Sequence, residues 1–146
     1  MPEAPSPKRR SRNPIEVFTV HPYGQADDER LRQLALQVMD HEGWSFKLRI
    51  IIADGAELRR LHRLFFGEDA TTDVISFAGD EEDGAGEIYI SLDQARKQAL
   101  EGGEAVQRAI ERLVVHGILH LGGWEDDSPA QRRRMLEHGE KYLSGD

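Results

Sequence analysis

Apolar residues recur along this chain in two rhythms, and the change from one to the other predicts its elements. Ile15 to Val20 alternate as a strand with one buried face does. Leu31, Leu34, Ala35, Val38 and Met39 recur at helical spacing, behind Asp27 or Asp28 as a cap and ahead of Gly43 as a stop. Phe46, Leu48, Ile50 and Ile51 read as a second strand, whose apolar end suits a central place in a sheet. Asp54 with Glu57 is a capping-box pattern, opening a helix with Leu58, Leu61, Leu64 and Phe65 as its buried face and Gly67 as its end. Val74 to Phe77 and Glu87 to Ile90 are short strands joined by the acidic segment 79–85, so they can pair as a loose hairpin. Ser91 with Gln94 starts another helix, which stops at Gly102 and Gly103. A helix over about 104–121 follows, with Val106, Ile110, Leu113, Val114, Gly117 and Leu121 in one wide arc. Ser128, Pro129 and Gln131 begin the last helix, which runs to about Leu143. No internal repeat is present. The order predicts a single small α+β domain, with helices packed on a mixed sheet of about four strands.

Length agrees, since 146 residues suffice for one domain with a real core. Residues 1–13 fall outside the pattern: prolines at positions 2, 5 and 7 lead into Lys8, Arg9, Arg10 and Arg12, which reads as a disordered basic extension. No stretch approaches the apolar length of a membrane span, and no apolar segment follows the basic N-terminus as in a signal peptide. Cytoplasm is therefore the expected location. A formal net charge of -8 argues against gripping nucleic acid over the whole surface. Charge is segregated, however: Arg132 to Arg134 sit together and Arg108 and Arg112 lie one turn apart, so a local basic patch is possible.

Candidate chemistry concentrates in one run, His116-Gly117-Ile118-Leu119-His120-Leu121-Gly122-Gly123-Trp124-Glu125-Asp126-Asp127. Histidines four apart on a helix share a face. Two glycines then stop the helix and carboxylates follow, so two imidazoles and a returning carboxylate can supply three ligands to a divalent ion. With no cysteine in the chain, any metal must be held by histidine nitrogen and carboxylate oxygen. The position of the general base in a metalloprotease H-E-x-x-H helix is Gly117 here, which argues against ordinary peptide hydrolysis. A bare histidine pair is more often structural, and His21, His41 and His138 read as ordinary structural or surface residues.

The same run resembles the signature H-G-x-L-H-L-x-G-Y-D-H of the bacterial YbeY family, the metal-dependent endoribonucleases of ribosomal RNA maturation. The TDVISF core within 72–77 and the run GEIYIS at 86–91 match the family's other signatures in order. The resemblance implies a YbeY-like metal-dependent hydrolase domain over 14–146, holding one Zn2+ per chain through His116, His120 and, in place of a third histidine, Asp126. Glu125 or Asp127 is the alternative third ligand. It further implies single-strand-specific cleavage of ribosomal RNA, including the 3′ end of the small-subunit RNA, with ribosomal RNA and ribosomal particles or proteins as partners.

Several positions depart from the family pattern. Trp124 and Glu125 stand for tyrosine and aspartate. In the segment before TDVISF, His62 stands for asparagine, Phe65 for tyrosine, Ala78 for proline, and Phe66 for an arginine thought to serve catalysis or phosphate binding. Arg63, three residues before Phe66 and on the same helix face, is the candidate to take over that role beside the metal-bound water. Thr72, Asp73 and Ser76 either fix the loop by local hydrogen bonds or meet substrate, and Glu87 either orients a ligand histidine or is an exposed strand residue. Trp124 packs over the loop or stacks on a base. Two other functions stay open from the residues: a ribosome assembly factor that kept the metal site but lost most catalysis, and a metal-dependent hydrolase of another bond such as peptide.

Overall fold

The computed structural model describes residues 15–21, 24, 26–79 and 85–143, so the basic extension and most of the acidic loop lie outside the described residues. The elements are β1 (Ile15–Thr19), α1 (Asp28–Glu42), β2 (Lys47–Ala53), α2 (Gly55–Phe66), β3 (Val74–Phe77), β4 (Ala85–Ser91), α3 (Leu92–Gly102), α4 (Val106–Leu121) and α5 (Pro129–Leu143). Each predicted element is present within a residue or two.

The capping chemistry read from the sequence is in place. Asp27 accepts from the Arg30 N–H, Asp54 from Glu57, Ser91 from Gln94 and Ser128 from Gln131. These bonds satisfy N–H groups that a helix start otherwise leaves without partners.

The sheet order is β1-β2-β4-β3. β2 pairs in parallel with β1 and β4, and β3 pairs antiparallel with β4, so the sheet is mixed. The expected loose hairpin is the β3–β4 pair, and β2 is central as its apolar end suggested. Strand periodicity sends Ile15, Val17, Leu48, Ile50, Ile52, Ile88 and Ile90 to one face, where they form the main core with α1, α3, α4 and α5. The other face carries a smaller cluster: Ala53, Leu58, Leu61 and Ile75, flanked by Ile51, Phe77 and Tyr89, under α2. Leu64 and Phe65 depart from expectation. They are 64% and 58% exposed, because the small outer face of the sheet is already covered by Leu58 and Leu61.

Helix α4 is the centre of the packing. Ala109, Ile110, Leu113, Val114, Val115, Ile118 and Leu119 are all buried, a wider arc than the sequence pattern gave. Gly117 lies against β4, and a Cβ there would stand 2.7 Å from Ile88 Cγ2 and 2.9 Å from its Cδ1. Glu111 is buried as well, and accepts from Arg30 Nε of α1 at 3.1 Å.

At the far end, α1 and α5 are joined by a polar network. Tyr142 donates to Glu42, His138 Nε2 donates to the same carboxylate, and His41 Nδ1 donates to the Tyr142 oxygen at 2.8 Å. Burial works to raise the Glu42 carboxyl, but the bonds from Tyr142 and His138 outweigh it and hold the group below its ordinary value.

Two expectations follow from this packing. The G117A variant gains up to about 1 kcal/mol of helix propensity but loses about 1–3 kcal/mol to overpacking against fully buried Ile88. Its net effect in urea unfolding should be destabilising, and I88A should offset part of the loss in a double-mutant cycle. Equal stability of G117A and wild type would show that the helix can lift from the sheet at little cost.

The second concerns pH. Glu42 binds its proton less readily folded than unfolded, so its contribution is fully present above the ordinary carboxylate value of 4.5 and is lost as pH falls through the lower folded value. E42Q should therefore be less stable than wild type at pH 7 by about 1–3 kcal/mol. The gap should narrow as unfolding is repeated at more acid pH; a gap independent of pH would mean the carboxylate's charge is not what matters.

Candidate active-site cleft

Because β3 is the edge strand, the sheet ends there and its two helical layers face each other past the edge. A cleft of about 670 Å³ runs along this edge. Its walls are His62 and Phe66 of α2 from one layer and His120 of α4 from the other, with Thr72, Asp73 and Ser76 along the floor and Asp126 at the loop side.

Asp73 and Ser76 do the first of the two jobs that the sequence left open, fixing the loop by hydrogen bonds. Asp73 accepts from Gln98 Nε2 at 2.9 Å, and its carbonyl takes the N–H of Ser91. Ser76 Oγ donates to the Gly117 carbonyl at 3.3 Å, tying the edge strand to α4. These bonds fix the floor, and the same residues line the cleft.

The loop after α4 turns through Gly123, whose φ of 108° favours glycine. Trp124 Nα returns to the Leu119 carbonyl at 2.9 Å, and the indole stacks on His138 with ring centroids 4.5 Å apart and planes 19° apart. Trp124 is thus a packing residue that fastens this loop to α5. Gln131 clamps the next residues: its Oε1 accepts from the N–H groups of Asp127 and Ser128, and its Nε2 donates to Glu125 at 3.3 Å. Asp126 alone of the three carboxylates enters the cleft, where its Oδ2 lies 3.3 Å from His120 Nε2.

The two signature histidines are separated in environment. His120 opens into the cleft, whereas His116 does not line it. The His116 ring packs beside Gly139 of α5, and its Nε2 is buried with no hydrogen-bond partner. Burial pushes that imidazole below its ordinary value, against the pull of Asp73.

The metal expectation is corrected here. Among the described residues, no group of three His, Asp or Glu side chains comes together that could hold a metal ion. His120 Nε2 is taken up by Asp126 and His116 Nε2 is enclosed, so the set His116, His120 and Asp126 does not fit one Zn2+. The HGILH helix is in the expected fold, but the metal site placed on it is withdrawn, and with it the zinc-dependent mechanism. Glu125 and Asp127 do not rescue it, since neither lines the cleft.

Other expected residues also find their places. Arg63 lies outside the cleft lining, more than half exposed, with Nη1 3.3 Å from Asp69 Oδ1, an oxygen that also takes Arg59. Glu87 pairs with Arg49 and accepts from the Tyr89 hydroxyl, so it orients no histidine. His41 and His138 are structural, as expected. Sequence reasoning did not single out His62: it was noted only as a departure in the family pattern, and its entry into the cleft depends on how α2 lies across β3. Its Nδ1 is 2.9 Å from the Glu68 carbonyl oxygen, and its ring sits against Phe66 with centroids 5.0 Å apart.

No helix among the described residues is long and apolar enough to cross a membrane. The family model described as Endoribonuclease YbeY matches residues 20–145. Endoribonuclease YbeY of Salinibacter ruber is 34% identical over 142 residues, covering 90% of each chain. The protein of the same name from Roseiflexus is 34% identical over 148 residues, covering 91% of this chain and 92% of its own. A Thermotoga maritima protein whose structure was determined in solution superposes with a TM-score of 0.63 at 27% identity, covering 88% of this chain and 86% of that one. The shared fold, the matched length and the signature run around His116 and His120 make this chain a member of the YbeY endoribonuclease family.

Proposed function

We propose that the chain is an endoribonuclease that cuts unpaired segments of ribosomal RNA during ribosome biogenesis, with ribosomal RNA and ribosomal particles as its partners. The observation that carries this reading is the cleft along β3, where histidines from opposite helical layers, His62 and His120, flank a mixed floor that carries Thr72, Asp73 and Ser76. Family membership supplies the class of bond. An edge-strand cleft suits a single strand, because an extended chain can lie along it with its phosphates within reach of side chains from both walls.

In this reading His120 meets the scissile phosphate, Asp126 holds its ring, and His116 supports the helix from below. Arg63 contributes from the rim of α2: its fork of donors fits phosphoryl oxygens, and Asp69 orients it. The basic segment within 1–13 adds non-specific attraction to RNA and 14–146 carries the activity. The cytoplasm, where ribosomes mature, is the compartment this assigns.

Cleavage of a labelled single-stranded ribosomal RNA fragment by the full chain tests the proposal. Wild type should cut it and leave a peptide substrate intact, and H120A should lose about 100-fold or more in rate with its melting temperature little changed. Binding without cutting by the wild type would favour an assembly factor, and peptide cleavage would favour a hydrolase of another bond. A separate expectation concerns Arg63. R63A should lose about tenfold, roughly 1.4 kcal/mol. Equal rates for R63A and wild type would remove Arg63 from the site.

A further inference from the structure

We infer that His62 is the proton acceptor for RNA cleavage by its own 2′-hydroxyl, an inference that rests on the endoribonuclease reading above. A carbonyl oxygen can only accept, so the 2.9 Å contact with Glu68 requires the proton of a neutral His62 ring to sit on Nδ1. The lone pair is then on Nε2, which has no protein partner among the described residues. Two contacts hold the ring in place: the Glu68 carbonyl at one edge and the Phe66 ring beside it, tilted by 39°. A backbone carbonyl that fixes the tautomer and orientation of an imidazole is a common way to prepare a base.

The other titratable groups of the cleft face side chains rather than a backbone carbonyl. His120 Nε2 lies against Asp126, and the Asp73 carboxylate takes Gln98. His116 Nε2 is enclosed and does not line the cleft. His62 is the cleft imidazole whose tautomer a backbone carbonyl fixes.

The nucleophile follows from what surrounds it. Phe66 is 55% exposed and offers a ring face on which a base can stack. A nucleotide stacked there has its ribose next to His62, and its 2′-oxygen is already adjacent to the following phosphorus. The 2′-hydroxyl gives its proton to Nε2 as its oxygen bonds to phosphorus. The bond from phosphorus to the 5′-oxygen breaks, and the electron pair leaves with that oxygen, which takes a proton from water. The imidazolium proton then neutralises the hydroxide so formed. The products are a 2′,3′-cyclic phosphate and a 5′-hydroxyl, with no change of oxidation state.

The test uses the full chain on a short single-stranded RNA, and on the same RNA with one 2′-deoxynucleotide at the position found to be cut. Wild type should yield the cyclic phosphate and the 5′-hydroxyl end, and the deoxy substitution should block that cut. H62A should lower kcat about 100-fold or more, with a smaller change in KM. H62Q, which keeps a side-chain amide but no base of that strength, should match H62A while melting like wild type, which separates loss of the base from loss of fold. A 5′-phosphate end, cutting at the deoxy position, or a wild-type rate in H62A and H62Q would overturn the role of His62 and leave the endoribonuclease reading standing. No RNA cleavage by the wild type would overturn both.

Discussion

The contact on which the rest of this structure depends is the close approach of α4 to the sheet at Gly117 and Ile88. A helix with a side chain at that position would have to stand farther from β4. Its neighbours Leu113, Val114, Ile118 and Leu119, all buried, would then lose the contacts that dense packing supplies. The space that a Cβ would need at Gly117 is filled by the Ile88 side chain. The Gly117 carbonyl also accepts from Ser76, so the same residue links the helix to the edge strand.

Fixing α4 this way sets the end of the helix beside β3, and that placement makes the cleft. Its walls belong to opposite faces of the sheet and meet only because β3 has no neighbour on its outer side. The loop that carries Asp126 is held from behind, by Trp124 on His138 and by Gln131 on the backbone of Asp127 and Ser128. His138 in turn shares Glu42 with Tyr142. The stacking that holds the cleft loop and the polar network between α1 and α5 are therefore one structure, and the loop inherits its rigidity from the helices.

Histidines one turn apart share a helix face, yet their surroundings differ completely here. His116 lies against α5 at Gly139, whereas His120 lines the cleft. A shared face is a property of one helix, whereas access to a ligand is a property of everything packed against it. The same distinction separates Arg63, turned to Asp69 outside the cleft, from His62, its neighbour in sequence, within it.

What the sequence determined by itself was local or periodic. Helix caps at Asp27, Asp54, Ser91 and Ser128, strand alternation in β1 and the central place of β2 all depend on residues close in the chain, so spacing and side-chain chemistry sufficed. The signature run carried the family for the same reason. Tertiary structure alone decided the exposure of Leu64 and Phe65, the burial of His116, the pairing of His120 with Asp126 and the arrival of His62 in the cleft. Each of these depends on how elements and loops meet in space, and spacing along a single element does not encode that. Periodicity fixes a residue's direction on its own helix but not what stands opposite, and ligand geometry is set by what stands opposite.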